Sequence, residues 1–164
     1  RKVVDEAIAL LRTKAEEKEI ELTVSLPQGL PAMHGDARAL RQICINLLSN
    51  AVKYSPHAAE VRVSGFVDGN WAAISVEDDG LGIPEAEIPK VFDRYFRAST
   101  SSGIAGTGIG LNMISMIMDK HRGKADLESR VGEGTRVTLR LPVAQDDAGE
   151  RPERASPRRR AASA

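Results

Sequence analysis

The spacing of apolar residues at the start of the chain predicts a helix, then a strand, then a second helix. Within residues 1–19 the apolar positions lie three or four apart, which predicts one buried helical stripe carrying Val4, Ile8, Leu11 and Ala15. Residues 20–26 alternate, which predicts a half-buried strand with Ile20, Leu22, Val24 and Leu26 on one face. After a turn at 27–31 and an extended piece at 32–34, Asp36 is a candidate N-cap for a helix reaching about Lys53.

The remaining pattern predicts further strands, one more long helix and a closing hairpin. Strands are predicted at 61–67 and 72–76 with a turn at 68–70, followed by a glycine-rich segment at 78–84, a helical turn at 85–91 and a mobile loop at 93–106. A helix is predicted at 107–121, closed by Gly123, and a hairpin pairs 124–130 with 135–141 around 132–134.

Composition and charge exclude several classes of protein. The formal net charge is +0 over 164 residues, so nothing in it favours nucleic acid as a partner. One cysteine, Cys44, excludes a disulfide framework and a multi-cysteine metal site. No apolar stretch approaches the roughly 20 residues of a membrane span, so we expect a cytoplasmic domain without membrane contact.

Residues 144–164 are rich in Pro, Ala and Arg without an apolar stripe, which predicts a disordered tail.

The first candidate for chemistry is a polar arc on the predicted helix at 36–53. Asn46, Asn50 and Lys53 follow one another at i, i+4 and i+7 beside the apolar stripe of Leu40, Ile43, Leu47 and Ala51. An asparagine oxygen suits Mg²⁺, and a lysine one turn away can reach a phosphate. A solvated polar edge explains the arc equally well, so this pattern alone leaves both interpretations open.

The second candidate is Asp78, which follows a predicted strand and precedes Gly80 and Gly82. A carboxylate at a strand end can accept a hydrogen bond from the amino group of adenine, worth roughly 1.5–3 kcal/mol when desolvated. The two glycines let a flat base approach the backbone. A plain acidic turn is the alternative interpretation.

The third candidate is the segment Gly106, Gly108 and Gly110, which opens the second long helix. Free N–H groups at a helix start attract phosphate. The segment is not a P-loop, because no Gly-Lys-Ser/Thr follows, and it is not a dinucleotide fingerprint, because Leu111 stands where the third glycine belongs. Between the glycine segments, residues 92–97 include aromatics that could anchor the base of a loop, with Arg94 and Arg97 facing the phosphates. A small hydrophobic patch with solvated arginines is the alternative interpretation.

Taken together in order, these segments resemble the motifs of sensor histidine kinases, members of the GHKL superfamily. Residues 46–56 look like the N box, 78–82 the G1 box, 92–97 the F box and 106–111 the G2 box. Residues 129–135 and Leu141-Pro142 are similar to the family's closing hairpin. The resemblance covers about residues 1–142. Ala105 in place of a more usual glycine and Asp79 in place of asparagine are small departures; we expect one of the two adjacent aspartates to turn toward solvent.

The resemblance implies the Bergerat ATP-binding fold, an α/β two-layer sandwich of a mixed, mostly antiparallel sheet with helices on one face. It implies ATP and Mg²⁺ as cofactors, Asn50 as the metal ligand and Asp78 as the adenine-binding residue. The residues expected to contact the nucleotide are Asn46, Asn50, Lys53, Tyr54, Asp78, Gly80, Gly82, Ile83, Gly106, Thr107, Gly108, Ile109, Gly110, Leu111 and Thr135. Those expected to assist transfer are Asn46, Asn50, Lys53, Arg94 and Arg97.

The resemblance also implies partners and a reaction. Residues 20–143 would be the catalytic domain, which donates the γ-phosphoryl group of ATP to a histidine on a dimerising helical domain upstream of Arg1; residues 1–19 are the connection to it or the first helix of this domain. None of His34, His57 and His121 stands in an acceptor motif. A response regulator receiver domain and a homodimeric parent are expected. The alternatives are a nucleotide-binding regulatory module without transfer activity and a related serine kinase that regulates a sigma factor.

Overall fold

The computed structural model describes residues 1–31, 33 and 35–143. Three α-helices, five strands and two short 3₁₀ helices occur in them: α1 (Lys2–Glu17), β1 (Glu21–Ser25), α2 (Ala37–Tyr54), β2 (Glu60–Asp68), β3 (Trp71–Asp78), 3₁₀ turns at Glu85–Lys90 and Ser99–Ser101, α3 (Gly110–Lys120), β4 (Lys124–Arg130) and β5 (Gly134–Pro142). The predictions for 144–164, for His34 and for the extended piece at 32–34 fall wholly or partly outside the described residues.

The five strands form one mixed sheet in the order β1-β2-β3-β5-β4. Only β1 and β2 run parallel; the other three pairs are antiparallel. Antiparallel neighbours need only short turns, and β2–β3 and β4–β5 are joined by two of the predicted ones. The register places Asp78 opposite Val61 on one side and Thr135 on the other, so the end of β3 lies between two strands.

The three helices cover one face of this sheet and enclose a single aliphatic core. The predicted stripe of α1 is buried, and so are Ile43, Leu47 and Ala51 of the predicted stripe of α2. These side chains pack with Ile114 and Met118 of α3 and with the valines and leucines of β2, β3 and β5. Because the helices cover one face only, the predicted two-layer α/β sandwich with a mixed, mostly antiparallel sheet is confirmed. No helix within the described residues is both long and apolar enough to traverse a bilayer.

Two local predictions needed correction. The second long helix was expected to begin at Thr107, but α3 begins at Gly110, because Gly108 has φ +69° and its carbonyl accepts a hydrogen bond from Tyr95 N–H at 2.9 Å. On β1 the expected buried face is incomplete, since Val24 keeps 40% of its surface exposed near the end of an edge strand. The N-cap at Asp36 is confirmed: its carboxylate accepts hydrogen bonds from Arg38 N–H and Ala39 N–H.

Candidate nucleotide site

A cavity of about 470 Å³ opens between α2, the end of β3 and the two glycine segments. This volume lies within the range of small-molecule sites. Of the residues expected to contact the nucleotide or to assist transfer, fifteen line it: Asn46, Asn50, Lys53, Tyr54, Asp78, Gly82, Ile83, Arg97, Gly106, Thr107, Gly108, Ile109, Gly110, Leu111 and Thr135. Segments up to 89 positions apart in the sequence, from Asn46 to Thr135, therefore meet at one cavity.

At one end of the cavity lies Asp78, a carboxylate that is only 9% exposed. It accepts a hydrogen bond from Gly80 N–H at 2.9 Å. Burial raises the pKa of Asp78 to about 6, although the Gly80 and Thr135 N–H groups act in the opposite direction. A buried carboxylate with remaining acceptor capacity is suited to receive an N–H donor from a ligand.

The neighbouring Asp79 turns away from the cavity, as expected for one of the pair. Its side chain is 46% exposed and binds Arg62 at 2.7 Å. Arg62 also binds Glu60 and Glu77, at 2.7 and 2.9 Å. Arg62 therefore holds Asp79 and Glu77 in ion pairs beside the end of β3.

The polar arc of α2 lines the cavity and includes polar groups that lack a hydrogen-bond or ionic partner among the described residues. Within the described part of the chain, Asn46 Nδ2 is buried and has no hydrogen-bond partner. Lys53 Nζ lies 2.9 Å from Tyr54 Oη and has no acidic partner among the described residues. A buried amide without a partner and a lysine without a counter-ion fit a polar, anionic ligand.

The second glycine segment closes the cavity opposite α2. A β-carbon at Gly106 would lie 2.8 Å from Lys53 Nζ, and one at Gly110 would lie 3.7 Å from Asn50 Nδ2. The backbone of this segment therefore approaches the polar arc, and the absence of side chains leaves space between them. Among the described residues no group of three or more His, Cys, Asp and Glu side chains forms a metal cage. The donors present fit Mg²⁺ that takes Asn50 and phosphate oxygens as ligands.

The segment between the glycine loops is tethered at several points. Thr100 Oγ1 donates to the Gly82 carbonyl at 2.7 Å, Ser99 N–H donates to Glu87 at 2.9 Å, and Arg97 donates to the carbonyls of Ser101 and Ile104. Phe96 and Arg97 line the cavity. The predicted loop thus includes a 3₁₀ turn bound to the first glycine loop.

Two predicted site residues do not line the cavity. The guanidinium of Arg94 lies over the exposed ring of Tyr95, 4.8 Å from its centre. Gly80 acts through its N–H on Asp78, and a β-carbon there would lie 2.5 Å from Asp78 Oδ1. The roles assigned to Arg94 and Gly80 remain predictions.

Sequence reasoning missed the apolar lining of the cavity. Leu47, Ala51, Val76, Leu127 and Val137 line it, and all belong to the helix and strand patterns that indicated core. Their periodicity could not separate a side chain that meets a ligand from one that meets another side chain.

Gly82 shows how closely the first glycine loop is packed. A β-carbon there would lie 1.9 Å from the Arg130 carbonyl oxygen, and φ is +67°. At Gly69, with φ +58°, nothing lies within 4 Å. Gly82→Ala should therefore lower the free energy of unfolding by roughly 2 kcal/mol more than Gly69→Ala, as measured by urea denaturation. Equal losses in the two variants would contradict this packing.

Comparison with known proteins identifies the same kind of domain. The family model for histidine kinase-, DNA gyrase B-, and HSP90-like ATPases matches residues 35–145. The histidine protein kinase DivJ of Caulobacter vibrioides is 36% identical over 144 residues, 87% of this chain and 24% of that protein. The adaptive-response sensory kinase SasA of Prochlorococcus marinus is 35% identical over 142 residues, 85% of this chain and 38% of that protein.

Solved structures agree with these relatives. The mycobacterial sensor histidine kinase MprB has a TM-score of 0.79 at 28% identity, covering 87% of this chain and 94% of that one. Full-length ShkA in complex with AMPPNP has a TM-score of 0.75 at 27% identity, covering 89% of this chain and 30% of that one. The chain spans less than half the length of DivJ and SasA. The chain belongs to the family of histidine kinase-, DNA gyrase B- and HSP90-like ATPases, as an ATP-binding catalytic domain of the histidine-kinase type.

Proposed function

We propose that this domain binds Mg-ATP in the cavity and donates the γ-phosphoryl group to a histidine on a separate dimerising helical domain of the parent protein. The observation that carries the proposal is the placement of three groups around one cavity: the buried carboxylate of Asp78, the buried Nδ2 of Asn46, which has no hydrogen-bond partner among the described residues, and Lys53, which has no carboxylate partner among them. The end of the cavity at Asp78 suits a base with an amino group, and the end at Asn46 and Lys53 suits a triphosphate.

Asp78 and the apolar lining support the adenine end of this proposal. The carboxylate accepts the exocyclic N–H of adenine, and the side chains of Val76, Val137 and Leu47 provide an apolar surface for the ring. Gly82, which has no side chain, and Ile83 line the same cavity, and Thr135 stands opposite Asp78 in the register of β3 and β5.

At the triphosphate end, Asn50 would hold Mg²⁺, while Asn46 and Lys53 would contact the phosphates. Mg²⁺ held there would supply positive charge to the phosphate oxygens. Lys53 and Arg97 add positive charge, and the backbone from Gly106 to Leu111 presents N–H groups before the first turn of α3.

Asn46 favours transfer to a protein over hydrolysis. In hydrolysing members of the superfamily a glutamate activates water where Asn46 stands here, and an amide is not a general base. The acceptor histidine and the receiver domain of a response regulator are therefore proposed as partners. Tyr95 and Met116 are 61% and 55% exposed and are proposed as contacts for the helical partner, since Tyr95 directly precedes the cavity residue Phe96 and Met116 follows Met113 by three positions in α3.

The proposal is tested by mixing the domain with γ-labelled ATP and a dimerising helical domain that carries an acceptor histidine. We expect the label on that histidine, its loss when the histidine is replaced by glutamine, and slow steady-state hydrolysis by the domain alone. Fast solo hydrolysis would contradict the transfer mechanism. ATP binding without any transfer would favour the regulatory-module alternative, and label on serine would favour the serine-kinase alternative.

A further inference from the structure

Lys18, directly after α1, directs its ammonium group at the far end of α2. Its Nζ lies 2.8 Å from the Val52 carbonyl oxygen, 3.2 Å from that of Lys53 and 2.6 Å from that of Ser55. An ammonium group has three N–H donors, so these three acceptors use all of them. Lys18 has no carboxylate partner among the described residues. Its contacts are therefore to the backbone of the helix that carries the polar arc.

Lys18 completes the hydrogen bonding of the last turn of α2. The final carbonyls of a helix have no intrahelical donors and lie at the negative end of its dipole. Here the Ala51 carbonyl accepts from Ser55 N–H and Ser55 Oγ, and the Tyr54 carbonyl accepts from Leu81 N–H at 3.2 Å. Lys18 supplies the donors for the other three carbonyls between 51 and 55.

This turn joins both ends of the nucleotide cavity. It carries Lys53 and Tyr54, which line the cavity, and its Tyr54 carbonyl holds Leu81 in the loop that follows Asp78. The fit is close, because a β-carbon at Gly80 would lie 2.8 Å from the Tyr54 carbonyl oxygen. A shift of this turn would therefore displace Lys53 and the loop after Asp78 together.

A second contact fixes the turn that carries Lys18. The Lys18 carbonyl accepts a hydrogen bond from Ala58 N–H at 2.9 Å, and Glu21 N–H donates to the Ala59 carbonyl at 3.0 Å. The backbone between α1 and β1 is thus bound to the segment after α2. Lys18 is therefore fixed at its backbone by Ala58 and at its ammonium group by the α2 carbonyls.

We infer that Lys18 is a positioning residue of the nucleotide site, which fixes Lys53, Tyr54 and the loop after Asp78 through the end of α2. The inference rests on the proposed ATP binding. Lys18 touches no ligand in this arrangement; it acts through backbone carbonyls. It also connects α1 to the site, because a change in the position of α1 is transmitted by the same three hydrogen bonds.

Lys18→Met tests the inference, with Lys14→Met as the matched control, since Lys14 is an exposed lysine of α1, four positions before Lys18. Titration calorimetry with Mg-ATP is run well below the unfolding temperature of each variant, so that only folded protein is compared. We expect the Kd to rise roughly tenfold in Lys18→Met and to stay unchanged in Lys14→Met. In the absence of nucleotide, hydrogen exchange of the Leu81 amide should accelerate in Lys18→Met alone.

The outcomes separate this inference from the proposed function. Lys18→Met could have a lower unfolding temperature but a wild-type Kd and wild-type Leu81 exchange. That result would show that Lys18 acts only as a helix cap and would overturn the inference. If the wild-type domain does not bind ATP, the proposed function fails, and the exchange of Leu81 still decides whether Lys18 positions the loop. Should Lys18→Met not fold, Lys18→Gln is measured in the same way, and wild-type affinity and exchange there also overturn the inference.

Discussion

Replacing Asn50 with alanine should raise the Kd for ATP by about 100-fold or more in Mg²⁺ while leaving the Kd in EDTA nearly unchanged. The reason is that Asn50 is proposed to ligate the metal and not the base. It lines the cavity next to Gly110, where the backbone of α3 begins. Titration calorimetry with ATP in Mg²⁺ and in EDTA measures the two constants in the same protein.

Two variants sharpen this experiment. Ser49→Ala removes a neighbouring polar group of α2 that does not line the cavity, so its Kd should match the wild type in both buffers. Asn50→Asp should retain Mg²⁺ but repel the triphosphate, so it should bind ATP more weakly than wild type. If Asn50→Ala bound Mg-ATP as tightly as the wild-type domain, the assignment of Asn50 to the metal would be wrong.

The elements of the fold that depend on local chemistry were predictable from the sequence. The apolar stripes of α1 and α2 follow a period near 3.6, and the cap at Asp36 precedes the stripe of α2 as such caps usually do. The closing hairpin was marked by Gly132 and Gly134, both of which have positive φ. In each case, residues within a few positions of one another decide the structure.

The features that depend on distant contacts were not predictable. The late start of α3 depends on the Tyr95–Gly108 hydrogen bond, which joins residues 13 positions apart. The sequence around Lys18 is typical of an ordinary surface lysine, because its contacts with α2 form only when α1 and α2 pack together. The motifs predicted fifteen of the residues that line the cavity, because their order resembles a known family, but they predicted neither its apolar lining nor the positions of Gly80 and Arg94 outside it.

Asp78→Asn should raise the Kd for ATP by roughly 10- to 100-fold at pH 7.5, because a charged acceptor of the adenine amino group is replaced by a neutral amide. The pKa of Asp78 near 6 adds a pH dependence. As the pH falls from 7.5 to 5 the wild-type carboxylate takes up a proton, so the wild-type Kd should rise roughly tenfold more than that of Asp78→Asn. The phosphates of ATP titrate in the same range, but they do so for both proteins, and the ratio of the two constants isolates Asp78.

The free energy of unfolding should change with pH in the direction opposite to ATP affinity, since it should rise as the pH falls. The pKa of Asp78 is raised from 3.8 to about 6 by burial, so the folded domain binds this proton more tightly than the unfolded chain does. The Asp78 contribution to the free energy of unfolding is therefore fully present below pH 3.8 and is lost as the pH rises through 6. Urea denaturation should give the wild type a higher free energy of unfolding at pH 5 than at pH 7.5, and this difference should be larger than in Asp78→Asn. A buried carboxylate that did not contact ATP would still change the denaturation midpoint with pH, but it would leave the ratio of the two ATP affinities constant. Opposite trends in affinity and stability, both absent from Asp78→Asn, require a buried carboxylate that meets the base in its ionised form.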